Sequence, residues 1–290
     1  MNSLLNRIKN EFVNGTILNK LIYINVIIFI LFSTIQVFSF ILQLNTTAYS
    51  SYFYLPSNNE ILMKQAWSLI SYMFIHNEFF HLLLNMIWLH FGGKIFLQYL
   101  TEKQLLSTYI LGGISGGILF VIAYNYLPVL STYTQNAKAL GASASVLAII
   151  VAIATFSPNY SIRFPFIGII KLKYIALFCV ILDFLSIPQS NTGGHIAHLG
   201  GALFGYFYIR QLKKGNDYSI FLIKLLDSVS NIMKTKNKKV YKRPKSDYQF
   251  NKQKSVQQKK VNLILEKISK SGYESLNKEE KSTLFSASKK

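Results

Sequence analysis

The chain has 290 residues, 51% hydrophobic and only 15% charged, a balance that excludes an ordinary soluble domain, where about a quarter of residues are charged. Its formal net charge of +19 does not signal nucleic acid: 20 of the 31 Lys and Arg lie after position 210, against 7 of the 12 acids, so this C-terminal part alone carries +13. No aromatic-interleaved recognition pattern accompanies those charges. The single cysteine, Cys179, excludes an internal disulfide and lies in an apolar run as a packing residue.

In chain order, residues 1–20 form a short basic segment. Residues 21–44, LIYINVIIFILFSTIQVFSFILQL, carry no charge, and at about 1.5 Å per residue they cover the roughly 30 Å hydrocarbon core of a bilayer. The run lacks the short apolar core and small-residue cleavage site of a signal peptide, so it reads as a retained span. Five further apolar segments follow near 79–100, 104–127, 141–158, 172–187 and 195–212. The fold class expected is an all-α membrane protein, a six-transmembrane helix bundle with a basic, partly helical cytoplasmic C-terminal tail.

Between the first two segments, the long connection 45–78 holds SSYFYLP and QAWSLISYMF, whose aromatics favour the membrane interface. Lys94 interrupts the second segment and can snorkel to an interface. In the third, GGISGG (Gly112, Gly113, Gly116, Gly117) reads as a helix-packing surface, because no strand precedes it and no Lys-Ser follows as in a phosphate loop. IPQSNTGG between the last two segments is a turn. Arg7, Lys9, Lys20, Lys94, Lys103, Arg163, Lys171 and Lys173 fall on one side of this topology, against Lys64 and Lys138 on the other. By the positive-inside rule both termini are then cytoplasmic. The expected division is 1–20, a cytoplasmic segment; 21–212, the six-span domain; 213–257, an amphipathic and basic linker; and 258–290, a small helical motif. In that motif Gly272 ends one helix, and Asn277 with Glu280 opens the next as a capping box.

Polar side chains inside a membrane are costly unless paired or functional. They gather at three helix starts: HNEFFHLLLN places His81 and Asn85 on one face, GASAS opens the fourth segment, and GGHIAHLGG opens the sixth. In the topology above, segments two, four and six all enter from outside, so His81, Asn85, Ser143 and His198 can converge near the outer leaflet. A serine needs a base within hydrogen-bond reach, and a neutral imidazole suits that role. Gly201 and Gly205, facing Ala144 and Ala148, would let the sixth helix approach the fourth closely. Asn85, His81 and the N–H groups at the start of the fourth helix can stabilise an oxyanion.

The GxS motif, the His-then-Asn spacing and AHLGG, in this order over about residues 60–212, resemble the rhomboid family of intramembrane serine proteases. The resemblance implies a Ser143–His198 dyad (nucleophile and general base) without a third acid, and oxyanion support from His81 and Asn85. It further implies cleavage of single-span or polytopic membrane protein substrates near their outer ends, in a bacterial cell membrane, with no cofactor and no metal. The partners expected are those substrates and the lipid bilayer, with no nucleic acid; a partner for the tail is not specified. The sequence departs from the pattern in three places: Ala144 follows the serine where many members carry Gly, Leu147 stands where many have an aromatic against the catalytic imidazole, and Trp67-Ser68 replaces a Trp-Arg pair.

Several residues have a blander reading. Ser145 points about 160° away from Ser143 and reads as packing. His195 is the base only if the Gly201 spacing is misread. His76 and His90 read as interfacial or structural, and Asp183, near the outer end of the fifth segment, as structural. Two alternatives stay open: a catalytically inactive rhomboid-like binding protein, and a metal site using His76, His81, His195 and His198, which lacks an HExxH motif or a well-placed acid beyond Glu78.

Overall fold

A computed structural model describes residue 6 and residues 14–44, 51–164, 168–233 and 247–288. Most of the N-terminal segment 1–20 and the linker stretch 234–246 lie outside the described residues. Six helices occupy the six apolar segments: α1 (Ile17–Ile41), α2 (Phe79–Phe96), α3 (Glu102–Tyr126), α4 (Ser143–Phe156), α5 (Leu172–Ser186) and α6 (Thr192–Leu212). Among the described residues, α1, α2 and α3 are long and apolar enough to cross a membrane, and α4 is apolar but only 14 residues long.

The helix ends show why the chain folds where it does. Thr16 Oγ1 accepts from the Asn19 N–H at 3.3 Å, and the Ile17 N–H donates to Glu102 at 3.0 Å, so the start of α1 is tied to the start of α3. Thr101 and Gln104 form a reciprocal capping box on α3. At the other end of α4, Lys213 Nζ donates to the carbonyls of Thr155 and Phe156 at 2.9 and 3.2 Å, a cation on the negative end of the helix dipole. Asn25, fully buried in α1, donates to the Leu21 carbonyl at 2.8 Å and to Tyr109 at 3.1 Å, and Tyr109 donates on to the Met73 carbonyl at 3.0 Å. Both amide hydrogens of Asn25, inside this apolar helix, are thus engaged.

Helix α4 is the hub. It packs against α2, α3, α5 and α6, and every residue from Ala144 to Ala154 is buried. Small residues make this possible. A methyl built on Gly201 would fall into the Ala144 carbonyl, and one on Gly205 into the Ala148 carbonyl. Gly116 likewise backs onto Ala144 and the Ala197 carbonyl, and Gly112 onto Ala148. The glycines of GGISGG therefore seat α3 against both α4 and α6, the close approach on which lipid-embedded helices depend.

Two small antiparallel ribbons flank the bundle. β1 (Leu55–Pro56) pairs with β2 (Lys138–Ala139), and β3 (Ser161–Phe164) with β4 (Gly168–Lys171). The connection before α2 is built of short helical turns at Asn59–Lys64, Ser68–Ser71 and Tyr72–Phe74; in it, Trp67 Nε1 donates to the Tyr52 carbonyl at 3.0 Å. After α6, Asp217 accepts from Gln104 and Tyr208 at 2.9 and 3.1 Å and from the Ser219 N–H at 2.9 Å, at the start of α7 (Ser219–Met233). Burial pushes the Asp217 carboxyl up, but bonds from Ser219, Gln104 and Tyr208 outweigh it and hold the group below the ordinary carboxylate range.

Residues 234–290 form a separate unit holding α8 (Asp247–Ser271) and α9 (Lys278–Ser288). α8 begins before residue 258, because the polar stretch from 247 on, read above as linker, is itself helical. Gly272 follows it at φ 77°, and the Asn277 and Glu280 side chains each accept from the other's backbone N–H at 2.8 Å.

Candidate active site

The turn before α4 sets the position of Ser143. Gly141 adopts φ 113°, a conformation that suits glycine, and its N–H donates to the Tyr72 carbonyl at 2.9 Å. The next N–H, of Ala142, donates to His76 Nε2 at 3.3 Å. His76 is 2% exposed. Burial and the neighbouring His81 lower its pKa to about 4, so it stays neutral and able to accept. Ser143 is then the first residue of α4, where the N–H groups of the first turn have no intrahelical acceptor.

His198 comes from the second turn of α6. Its Nε2 lies 2.6 Å from Ser143 Oγ, and its Nδ1 lies 2.7 Å from Asp183 Oδ1. The same carboxylate oxygen lies 2.8 Å from His195 Nδ1. A carboxylate can only accept, so both imidazoles carry their proton on Nδ1. In the neutral imidazole the lone pair of His198 Nε2 then faces the serine. Asn191, left-handed at φ 63°, turns the chain between α5 and α6 so that both histidines face Asp183. The expectation of a pair without an acid differs from this geometry: Asp183 completes a Ser–His–Asp chain, and His195 reaches the acid rather than the serine.

The oxyanion candidates divide. Asn85 lines a cavity of about 250 Å³ together with Ser143, Leu147, Asp183 and His198; one amide hydrogen is engaged by the His81 carbonyl at 2.8 Å, which leaves the other for a ligand. His81 does not line that cavity. Its ring lies over Gly141, where a methyl would come within 2.7 Å of it, and edge-on to His76 at 5.2 Å. Ser145 is buried against Gly113 and Met73, away from His198. Leu147 lines the cavity in place of an aromatic, while His198 is gripped from its Nδ1 side. Asp183, His195 and His198 bring three ligand-type atoms within 4.8 Å of one another; His76 and His81, the other members of the metal alternative, are not in that group.

The contact of Asp183 with both histidines is the feature that sequence reasoning did not place. A signal existed: an ionisable group inside an apolar segment is a site hypothesis by default, and the turn to GGHIAH sets two histidines opposite it.

With this geometry in view, the comparisons with known proteins are decisive. A family model described as the Rhomboid domain matches residues 63–214, which is more than half of the chain. The chain belongs to the rhomboid family. A second model, described as a family of unknown function (DUF6576), matches residues 245–290 of this rhomboid, the region of α8 and α9. Among curated relatives, the chain is similar to RHOMBOID-like protein 12, mitochondrial, of Arabidopsis thaliana, at 27% identity over 157 residues, 51% of this chain and 47% of the relative. It is also similar to Presenilin-associated rhomboid-like protein A, mitochondrial, of Danio rerio, at 30% identity over 145 residues, 47% of this chain and 35% of the relative. The rhomboid thus spans less than half the length of these relatives. Membership and the apolar helices make it an integral membrane protein.

Proposed function

We propose that this rhomboid is an intramembrane serine endopeptidase. The observation that carries the reading is the 2.6 Å contact between Ser143 Oγ and a His198 nitrogen whose lone pair faces it. Ser143 Oγ attacks the carbonyl carbon of a substrate peptide bond as its proton passes to His198 Nε2. The carbonyl oxygen takes the negative charge, met by the N–H groups at the start of α4 and by Asn85. The C–N bond then breaks, and His198 gives the proton to the departing amine. Water repeats the sequence on the acyl-serine, releasing the carboxylate and restoring Ser143. Asp183 holds the imidazole in the productive tautomer and offsets the charge it gains.

In this reading all six helices cross the membrane, and both termini are cytoplasmic by the positive-inside count. Ser143 then lies near the outer face, in the bacterial cell membrane that the family resemblance implies. The two relatives carry the word mitochondrial in their names. The substrates are membrane proteins cleaved near that face. The test is reconstitution of wild type and Ser143→Ala in liposomes with a tagged single-span substrate, beside labelling with a fluorophosphonate. Cleavage and labelling by wild type alone are expected. Equal cleavage by both proteins overturns the nucleophile, and absence of both activities from wild type favours an inactive rhomboid-like binding protein.

A further inference from the structure

The opposite end of the bundle holds a second polar site, independent of the serine. The first turn of α1 packs on the last turns of α2, where the lack of a side chain on Gly93 admits Leu18. Beside this crossing, a cavity of about 720 Å³ opens between α1, α2 and the β3–β4 hairpin. Ile22, Phe91 and Ile95 give it an apolar wall; His90, Lys94 and Arg163 give it a basic one. Among the described residues, no carboxylate lines it. Among the described residues, neither Lys94 nor Arg163 has an ion pair or side-chain hydrogen bond. Lys94 stands 13 residues along α2 from His81, so the cavity lies about 20 Å from the serine end.

Lys94 alone would be a side chain reaching for the headgroup layer. Two features go beyond that. Arg163 comes from a separate element yet faces the same cavity, and the cations adjoin an apolar wall with no acid among the described residues to neutralise them. Unpaired cations at the edge of a low-dielectric region favour an anion, and the wall beside them favours a hydrocarbon chain. One molecule offers both. We propose that this cavity binds an anionic glycerophospholipid, its phosphodiester on Lys94 and Arg163 and an acyl chain along Ile22, Phe91 and Ile95. A zwitterionic lipid would bring its own ammonium toward the same two cations, so the site selects for net negative charge.

The experiment is native mass spectrometry of the full chain released from mild detergent. Phosphatidylglycerol and phosphatidylcholine of identical acyl chains are titrated against wild type and the Lys94→Gln/Arg163→Gln variant. Glycerol phosphate and inorganic phosphate are added as competitors without chains. Wild type is expected to retain one phosphatidylglycerol at about tenfold lower concentration than phosphatidylcholine, and the double variant to lose that preference. Exchange of the two residues with charge retained, Lys94→Arg with Arg163→Lys, is expected to keep it, which separates loss of charge from loss of fold. The chainless phosphates are expected not to displace the lipid. Equal retention of the two lipids by wild type overturns the proposal. So does a preference unchanged in the double variant, which would assign it to the basic tail, and so does displacement by inorganic phosphate, which would make the site one for free anion.

Discussion

Helices α4 and α5 both contribute to the Ser143 site, yet they are held in opposite ways. α4 is buried along almost its whole length and locked by backbone-to-glycine contacts with α6. α5 is buried only at Leu172, Ile175 and Ala176, and shows Phe178, Ile181, Phe184 and Leu185 to its surroundings. Ser143 and His198 therefore ride on a closely packed seam. Asp183 rides on a helix with an exposed apolar face. Close packing is concentrated around the Ser143–His198 contact, and the Asp183 carboxylate is held by its two imidazole donors.

That contrast is open to mutation, beginning with the seam. His198→Ala is expected to lower kcat for a reconstituted substrate by at least about 10³-fold, read by gel or fluorescence assay. Asp183→Asn changes the acceptor to an amide and removes its charge. Its expected effect is smaller, about 10²-fold in kcat with KM nearly unchanged, and slower fluorophosphonate labelling checks it. An Asp183→Asn enzyme as active as wild type would make the acid structural only.

Stability tests address the same comparison. Gly201→Ala drives a methyl into the Ala144 carbonyl and is expected to destabilise by ~1–3 kcal/mol, seen as a lower Tm in detergent. His76→Ala leaves the Ala142 N–H without its acceptor and is expected to cost ~1–3 kcal/mol. His76 also gives a pH signature. Its folded pKa of about 4 lies below the ordinary 6.5, so between those values the unfolded chain binds more protons. Its contribution to stability is thus complete above about pH 6.5 and declines as pH falls toward 4. His76→Gln, which keeps an acceptor but does not titrate, is expected to flatten that part of the Tm-against-pH curve. On α5, Phe178→Leu changes an exposed apolar face, and a stability change within about 0.5 kcal/mol is expected.

Much of the bundle was legible in the linear chain. The 24-residue uncharged run, the glycine pairs and the AHLGG pattern carry periodic or local signals, and each falls on a helix of the structure, the run ending three residues past α1. The Asn277–Glu280 cap is local too, and its reciprocal bonds are present. The start of α8 was not legible, because a basic stretch rich in Lys and Gln has neither an apolar face nor a stop signal. The contact of Asp183 with His198 was not legible for a different reason. Asp183 lies 15 residues before His198, and only the left-handed Asn191 turn decides whether α6 returns with its histidines toward α5.

Residue order alone determined the apolar segments, the small residues at their crossings and the set of polar groups at three helix starts, since hydrophobicity and side-chain size act position by position. Tertiary structure decided which imidazole nitrogen meets the serine, that two histidines share one carboxylate oxygen, and that His81 rests on Gly141 while Asn85 enters the cavity. Those outcomes turn on the rotation of helices about their axes and on fractions of an ångström between backbones, quantities that close packing sets and no local pattern encodes.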